Sequence, residues 1–177
     1  MGYIVAEEPR FWRVIKLKPF RRTEGVSFDL VPVEFLPRID GIDRVIHARR
    51  ALSPGSVGGV ERPWYMHPQQ DDNLIVLHGR RVVDIYTLEQ GRIETFTVTP
   101  ERVERGGELF FEGPAMLVWP RNVFHRIVSG EEGSASLNFA LRYPGFDIDT
   151  NFSVYDLDAA TGRHEVIREG RLDQMNG

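Results

Sequence analysis

The sequence predicts an all-β fold, on three observations. Runs rich in Val, Ile, Phe and Tyr recur along the chain, several with apolar–polar alternation. Glycine (17) and proline (11) are spread throughout and cut the chain into short pieces. No segment places apolar residues at helical spacing over about a dozen positions with matching caps.

In chain order, the first 40 residues hold the apolar stretch Phe11, Trp12, Val14, Ile15 and Leu17, then the run Val26–Phe35. This arm is expected to extend the barrel sheets and, as an apolar edge, to join a partner's sheet. Further strands are predicted at Arg44–Ala51, Leu74–Leu77, Arg81–Leu88, Ile93–Val98, Leu117–Trp119, Val123–Val128 and Ser136–Tyr143. Turn residues fall between them, at Gly79, Glu89–Gly91, Glu104–Gly107 and Ser129–Gly133. One short helical turn is expected near Asp156–Gly162. Many short strands at near-regular spacing predict a sandwich or barrel. No linker or repeat divides the chain, so residues 1–177 are expected to form one domain, with an arm (1–40), a barrel core (41–145) and a C-terminal extension (146–177).

Composition narrows the function classes. Lys and Arg number 22 against 26 Asp and Glu, a net charge of −4, which gives no footprint for nucleic acid or an anionic membrane. Lys16, Lys18, Arg21 and Arg22, and the pairs Arg49–Arg50 and Arg80–Arg81, are expected to be solvated. The absence of cysteine excludes disulfides, thiolate metal sites and cysteine nucleophiles. No apolar run approaches the roughly 20 residues of a membrane helix, and residues 1–10 carry Glu7 and Glu8 rather than an apolar signal segment. A cytoplasmic protein is expected.

Two segments carry the chemistry: Tyr65-Met66-His67-Pro68-Gln69-Gln70-Asp71-Asp72 leading to Gly79, and Gly113 to His125, which includes Trp119-Pro120-Arg121-Asn122. Six residues separate Asp72 from Gly79, and four separate His67 from Asp72. This arrangement resembles the cupin superfamily. Its first motif runs Gly, His-x-His, three or four residues, Glu, six residues, Gly; its second runs Gly, five residues, Pro-x-Gly, two residues, His, three residues, Asn. His67 and Asp72 stand at the second histidine and the glutamate, and Tyr65 replaces the first histidine. Pro120 and His125 match the second motif; Asn122 replaces its glycine, Ser129 its asparagine, and Gly113 is displaced by one residue. The resemblance covers roughly residues 59–130. It implies a double-stranded antiparallel β-barrel, or jelly roll, of RmlC-like type with few short helices, and a homodimer.

The resemblance also implies a divalent metal, such as zinc, iron, nickel or manganese, held by His67, His125 and Asp72. The two histidines are then expected to share one ion, since each metal–nitrogen bond is only about 2.0–2.1 Å. Asp72 is a methylene shorter than the family's glutamate, and Gln70 or Gln69 on the same loop can supply an oxygen in its place. Tyr65 reads as a cavity wall, a hydrogen-bond donor or an acid/base group. Strand parity puts Ser136, Asn138, Ala140 and Arg142 on one face, and Leu137, Phe139, Leu141 and Tyr143 on a core face. Asn138 and Arg142, with Gln69, would meet a polar or anionic ligand if that polar row lines a cavity; otherwise it faces solvent. His78, His47 and His164 read as structural or exposed. Asp84 sits at the cavity edge or outside it.

Three functions fit this pattern. One is a metal-dependent isomerase or dioxygenase acting on a small oxygenated or sugar-like substrate. Another resembles the metal-free deoxysugar epimerases of the superfamily, with His67 as base and Tyr65 as acid. The last is a non-catalytic binding or sensor protein whose site has decayed, so that no metal need bind. The partner in each is a small molecule.

Overall fold

A computed structural model describes residues 2–175. It is built almost wholly from antiparallel strands arranged as two facing sheets, and two long strands belong to both. These are β8 (Gln70–Tyr86) and β13 (Phe124–Arg142). Their pairing runs from Phe124 opposite Tyr86 to Arg142 opposite Gln70, with a shift in register between Ser129 and Ser134. The sequence suggests two short strands where each of these stands, because Gly79 and the Ser129–Gly133 stretch look like turns. They are bends instead. Gly79 has φ +71° and Gly133 also φ +71°, and a Cβ on Gly79 would lie 2.1 Å from the Gly133 carbonyl oxygen. Only glycine permits both the left-handed backbone and that approach.

The first sheet runs β1 (Ile4–Glu8), β2 (Trp12–Lys16), β12 (Ala115–Trp119), the first half of β8, the second half of β13, and β5 (Gly41–His47). The second sheet runs β11 (Glu108–Glu112), β10 (Arg102–Arg105), β9 (Ile93–Val98), the second half of β8 and the first half of β13. Beyond β13 lie β6 (Leu52–Ser53), β7 (Trp64–Met66), β14 (Val154–Asp158) and β15 (Arg163–Arg168). Between the sheets, Phe11, Val14, Leu74, Val83, Phe96, Leu117 and Ile127 are among the apolar side chains that pack one core.

The arm does two things. β1 and β2 extend the chain's own first sheet, so this part of the arm does not cross to a partner. The run Val26–Phe35 is a strand only to Leu30. It is followed by a 3-10 turn at Val33–Phe35, and Val31, Phe35 and Leu36 pack with Ile15, Ile75 and Met116 on the outside of the sheet. β3 (Lys18–Thr23) and β4 (Val26–Leu30) form a separate hairpin. The helical turn expected at Asp156–Gly162 is overturned: those residues finish β14 and turn into β15, because Val154, Tyr155 and Leu157 pack with Trp64, Tyr86 and Phe124. The helix lies earlier, at α1 (Ile148–Asn151), where the Asp147 side chain caps its start by accepting from the Asp149 backbone N–H.

On β13 the polar row takes the first of its two expected settings, facing the interior, and the row expected to be core lies on the outside. Ser136 and Ala140 are buried against the barrel interior, while Leu137 and Phe139 are only half-buried on the outer surface. Both rows alternate as the sequence suggests. The polar row was on the inside because the interior holds a site.

Candidate metal and ligand site

The two motif loops meet where β7, β8, β12 and β13 converge. The His67 carbonyl accepts from the Asn122 backbone N–H at 2.9 Å. Asn122 has φ +65°, a left-handed conformation that asparagine tolerates better than most side chains. That explains how it serves where the cupin motif has glycine. Asp71, facing away from the interior, accepts from the Arg121 backbone N–H at 2.7 Å and from the Tyr143 hydroxyl at 2.8 Å, and so fixes the same loops from outside.

His67, Asp72 and His125 are all buried, and one ligand atom from each lies within 4.8 Å of the others. The imidazole centroids are 4.6 Å apart. Each ring is oriented by its far nitrogen: His67 Nδ1 donates to the Asn151 carbonyl at 2.8 Å, and His125 Nδ1 to the Val123 carbonyl at 3.1 Å. With Nδ1 held by a carbonyl in each ring, the Nε2 atoms turn toward Asp72, whose Oδ2 lies 3.4 Å from His67 Nε2 and 4.0 Å from His125 Nε2. Asp72 Oδ1 is satisfied by the Gln70 amide at 2.9 Å and the Asn138 amide at 2.7 Å. Its Oδ2 is buried without a hydrogen-bond partner.

Burial holds the His125 imidazole at about 4, helped by the charge of His67 and opposed by Asp72 and the Val123 carbonyl. It is therefore neutral at pH 7. The neutral His125 imidazole, the His67 imidazole and an orphaned carboxylate oxygen converging on one point form a donor set that suits a divalent ion. Around a bond length of about 2.0–2.2 Å, adjacent ligand atoms stand about 3–3.5 Å apart. The methylene that aspartate lacks relative to glutamate does not keep Asp72 from the histidines.

The cluster opens into a cavity of about 310 Å³. Tyr65 lines it, with its ring 6.2 Å from that of His67 and 6.0 Å from that of His125. Burial raises the Tyr65 hydroxyl above its usual range; the charge of Asp173 adds to this and Arg168 opposes it. Trp119 stands 5.2 Å from His125 and Phe152 stands 4.8 Å from His67, closing the apolar sides.

Asn138 lines the cavity, as the polar row allows, but Arg142 and Gln69 do not. The Arg142 guanidinium stacks on Phe146 at 4.2 Å and reaches the Gln70 side-chain oxygen at 3.3 Å, one step removed from Asp72. The Gln69 side chain accepts from Arg121 at 3.1 Å, on the side away from the cavity. Alternation along β8 places Gln70, not Gln69, on the face of Asp72. Asp84 also points outward, to Arg126 at 3.0 Å and the Thr95 hydroxyl at 2.8 Å. His78 and His164 are exposed.

One expectation is reversed: Arg81, expected to be solvated with Arg80, is buried and lines the cavity. His47, expected to be structural or exposed, is half-buried on the same wall and bonded to Ser129. Both follow from parity: Arg81 shares a face with the buried Val83 and Ile85, and His47 follows Asp43 and Val45 along a strand that begins at Gly41, not Arg44. Asn151 and Phe152 carried no signal, because the C-terminal extension meets His67 only through the fold.

No protein-family model and no curated protein matches this chain. Solved structures do. QdtA, a sugar 3,4-ketoisomerase from Thermoanaerobacterium thermosaccharolyticum solved with TDP, aligns with a TM-score of 0.56 and 13% identity over 79% of this chain and 85% of its own. NovW, a 4-keto-6-deoxy sugar epimerase of the novobiocin cluster of Streptomyces spheroides, aligns at 0.58 and 9% over 81% and 69%. The RmlC epimerase of Mycobacterium tuberculosis aligns at 0.55 and 8% over 79% and 68%. The fold is therefore that of the RmlC-like cupins.

Proposed function

We propose that this chain is a metal-dependent enzyme of isomerase or epimerase type, acting on a small oxygenated, sugar-like substrate, with a divalent ion held by His67, Asp72 and His125. The carrying observation is the buried Asp72 Oδ2 without a hydrogen-bond partner, faced by the Nε2 atoms of two imidazoles whose Nδ1 atoms are held by backbone carbonyls. An unpaired buried carboxylate oxygen costs several kcal/mol unless a cation meets it. When bound, the ion supplies Lewis-acid polarisation of a substrate oxygen. The chain's own groups do the rest. Gln70 and Asn138 hold Asp72 in place, Trp119 and Phe152 exclude water, and the Tyr65 hydroxyl, kept protonated by burial, donates a proton to substrate. Isomerase chemistry is favoured over oxygen chemistry because the structural neighbours named above are ketoisomerases and epimerases. The enzyme is proposed to work as a homodimer in a reducing, cytoplasmic compartment, in keeping with a chain that lacks cysteine.

The resemblance to the metal-free deoxysugar epimerases supports a second reading, in which no metal binds. His67 Nε2 then takes the proton beside a substrate carbonyl and Tyr65 returns one. Elemental analysis and zinc titration separate the two. The first reading expects about one ion per chain and loss of at least a hundredfold in zinc affinity in Asp72→Asn. The same variant, metal-free, is expected to melt higher than metal-free wild type, because its amide can donate to an imidazole nitrogen that Oδ2 leaves unpaired. Wild type that neither retains nor takes up metal would leave the second reading.

A further inference from the structure

We propose that Arg81 recognises the negative end of the substrate, and that this end is a carboxylate bound across the cavity from His67, Asp72 and His125. The inference rests on reading the cavity as the substrate site. Arg81 is 1% exposed. Its Nε donates to the Ser134 hydroxyl at 2.9 Å and one Nη2 hydrogen to the Val45 carbonyl at 3.1 Å. A guanidinium has five N–H donors, so three remain, and the side chain lines the cavity. No carboxylate among the described residues forms an ion pair with it. Burial alone lowers it, to about 10, and at pH 7 it is still charged.

Its surroundings add no second cation. His47 bonds through Nδ1 to the Ser129 hydroxyl at 2.8 Å, and that hydroxyl lies 2.8 Å from the Ser134 hydroxyl. Burial and the Arg81 charge keep His47 neutral, at about 4. The other charged groups on the cavity wall are acidic: Asp43, Asp72 and Asp173. Asp173 is already paired with Arg168 at 2.6 Å, so in the metal-free cavity a dianionic phosphate would face one guanidinium with Asp43 and Asp72 on the same wall and would be poorly compensated. A carboxylate carries one charge and matches the planar fork of arginine.

The two ends of the cavity are separated in the same way on two strands. On β13 the inward row runs His125, Ile127, Ser129; on β5 it runs Asp43, which meets Asn138 at 3.2 Å, then Val45 and His47. Each row spans four residue steps, or about 13 Å of strand, part of which the Arg81 side chain itself covers. The gap suits a small acid whose other end is oxygenated. An arginine kept here only for structure would gain from a carboxylate partner in the protein, and an apolar replacement of its volume would serve stability as well or better.

The test uses the full chain, with chelator-treated and zinc-loaded samples, and four probes: pyruvate, pyruvamide, glycerate and inorganic phosphate, followed by calorimetric titration. Chelated wild type is expected to bind pyruvate or glycerate and not pyruvamide. Arg81→Met is expected to lose tenfold or more in acid affinity, to bind zinc within twofold of wild type, and to melt no lower than wild type. Equal binding of acid and amide, no binding of either acid, preference for phosphate, or undiminished acid binding by Arg81→Met would each overturn the proposal. If Arg81→Met does not fold, the acid–amide comparison in chelated wild type still decides. Acid selectivity without zinc uptake refutes the metal reading and keeps this one; zinc uptake without acid selectivity does the reverse.

Discussion

His47 shows how a single side chain can tie this cavity to pH. Its imidazole is half-buried, accepts or donates one hydrogen bond at Ser129, and faces the charge of Arg81. Desolvation first, and then Arg81, lower it from 6.5 to about 4. Between those values the unfolded chain binds a proton that the folded chain refuses. Stability is therefore complete above about 6.5 and falls as the pH drops toward 4. His47→Gln keeps a polar partner for Ser129 and removes the titration. Melting temperatures measured from pH 7 to pH 4 are expected to fall less steeply in this variant than in wild type. The slope that remains belongs in part to His125, which burial also holds at about 4. Parallel curves for the two proteins would mean that His47 is not protected from protonation in the folded state.

At the level of elements, the two long strands decide where the site can be. β8 carries Asp72 in its first half and Arg81 in its second, and β13 carries His125 and Asn138 in the same divided way. The bends at Gly79 and Gly133 let each strand contribute to both sheets and so bring all four residues to one cavity. A Cβ on Gly133 would lie 2.5 Å from the His47 carbonyl, so β5 is locked at the same crossing. Gly79→Ala is expected to cost about 3 kcal/mol or more, since it combines a left-handed backbone with a clash against main chain that cannot swing aside. Urea unfolding checks this, and a loss below about 1 kcal/mol would show that the strands cross with slack. The same geometry explains what was legible beforehand. Motif spacing located His67, Asp72, Tyr65 and His125, because loop length between strand ends is written locally. Alternation located Asn138. It would also have turned Arg81 inward with Val83 and Ile85 on the strand predicted from Arg81, and Gln70 inward, had the first strand been drawn back to it. What stayed hidden depends on distant chain: Asn151 and Phe152 reach His67 across about 84 residues, and the polar interior of β13 contradicts the usual rule that leucine and phenylalanine mark the inside.

For the whole molecule, the apolar surface left uncovered points to self-association. The outer face of the first sheet shows Ile42 and Ile46 of β5, 59% and 55% exposed, beside the half-buried Leu137 and Phe139 of β13. Among the described residues β5 pairs with β13 and with no other strand, so its far edge is open to another strand. The β3–β4 hairpin adds Phe20, 66% exposed, together with Val26, Phe28 and Leu30. A lone two-stranded hairpin is marginal in water, and this one keeps every residue of β3 exposed. A second copy covering the sheet face and the hairpin would remove both liabilities, and contiguous apolar patches of this kind are uncommon on monomers. Light scattering at micromolar concentration is therefore expected to give twice the 20.3 kDa chain mass. Ile42→Lys with Ile46→Lys tests the sheet face, and Phe20→Ser with Phe28→Ser tests the hairpin. Because these side chains lie outside the cavity lining, zinc binding should persist in both variants. Dissociation by the first pair alone would place the contact on β5, and by the second pair alone on the arm. A wild-type monomer would mean that the hairpin stands free and the apolar face is tolerated without a partner.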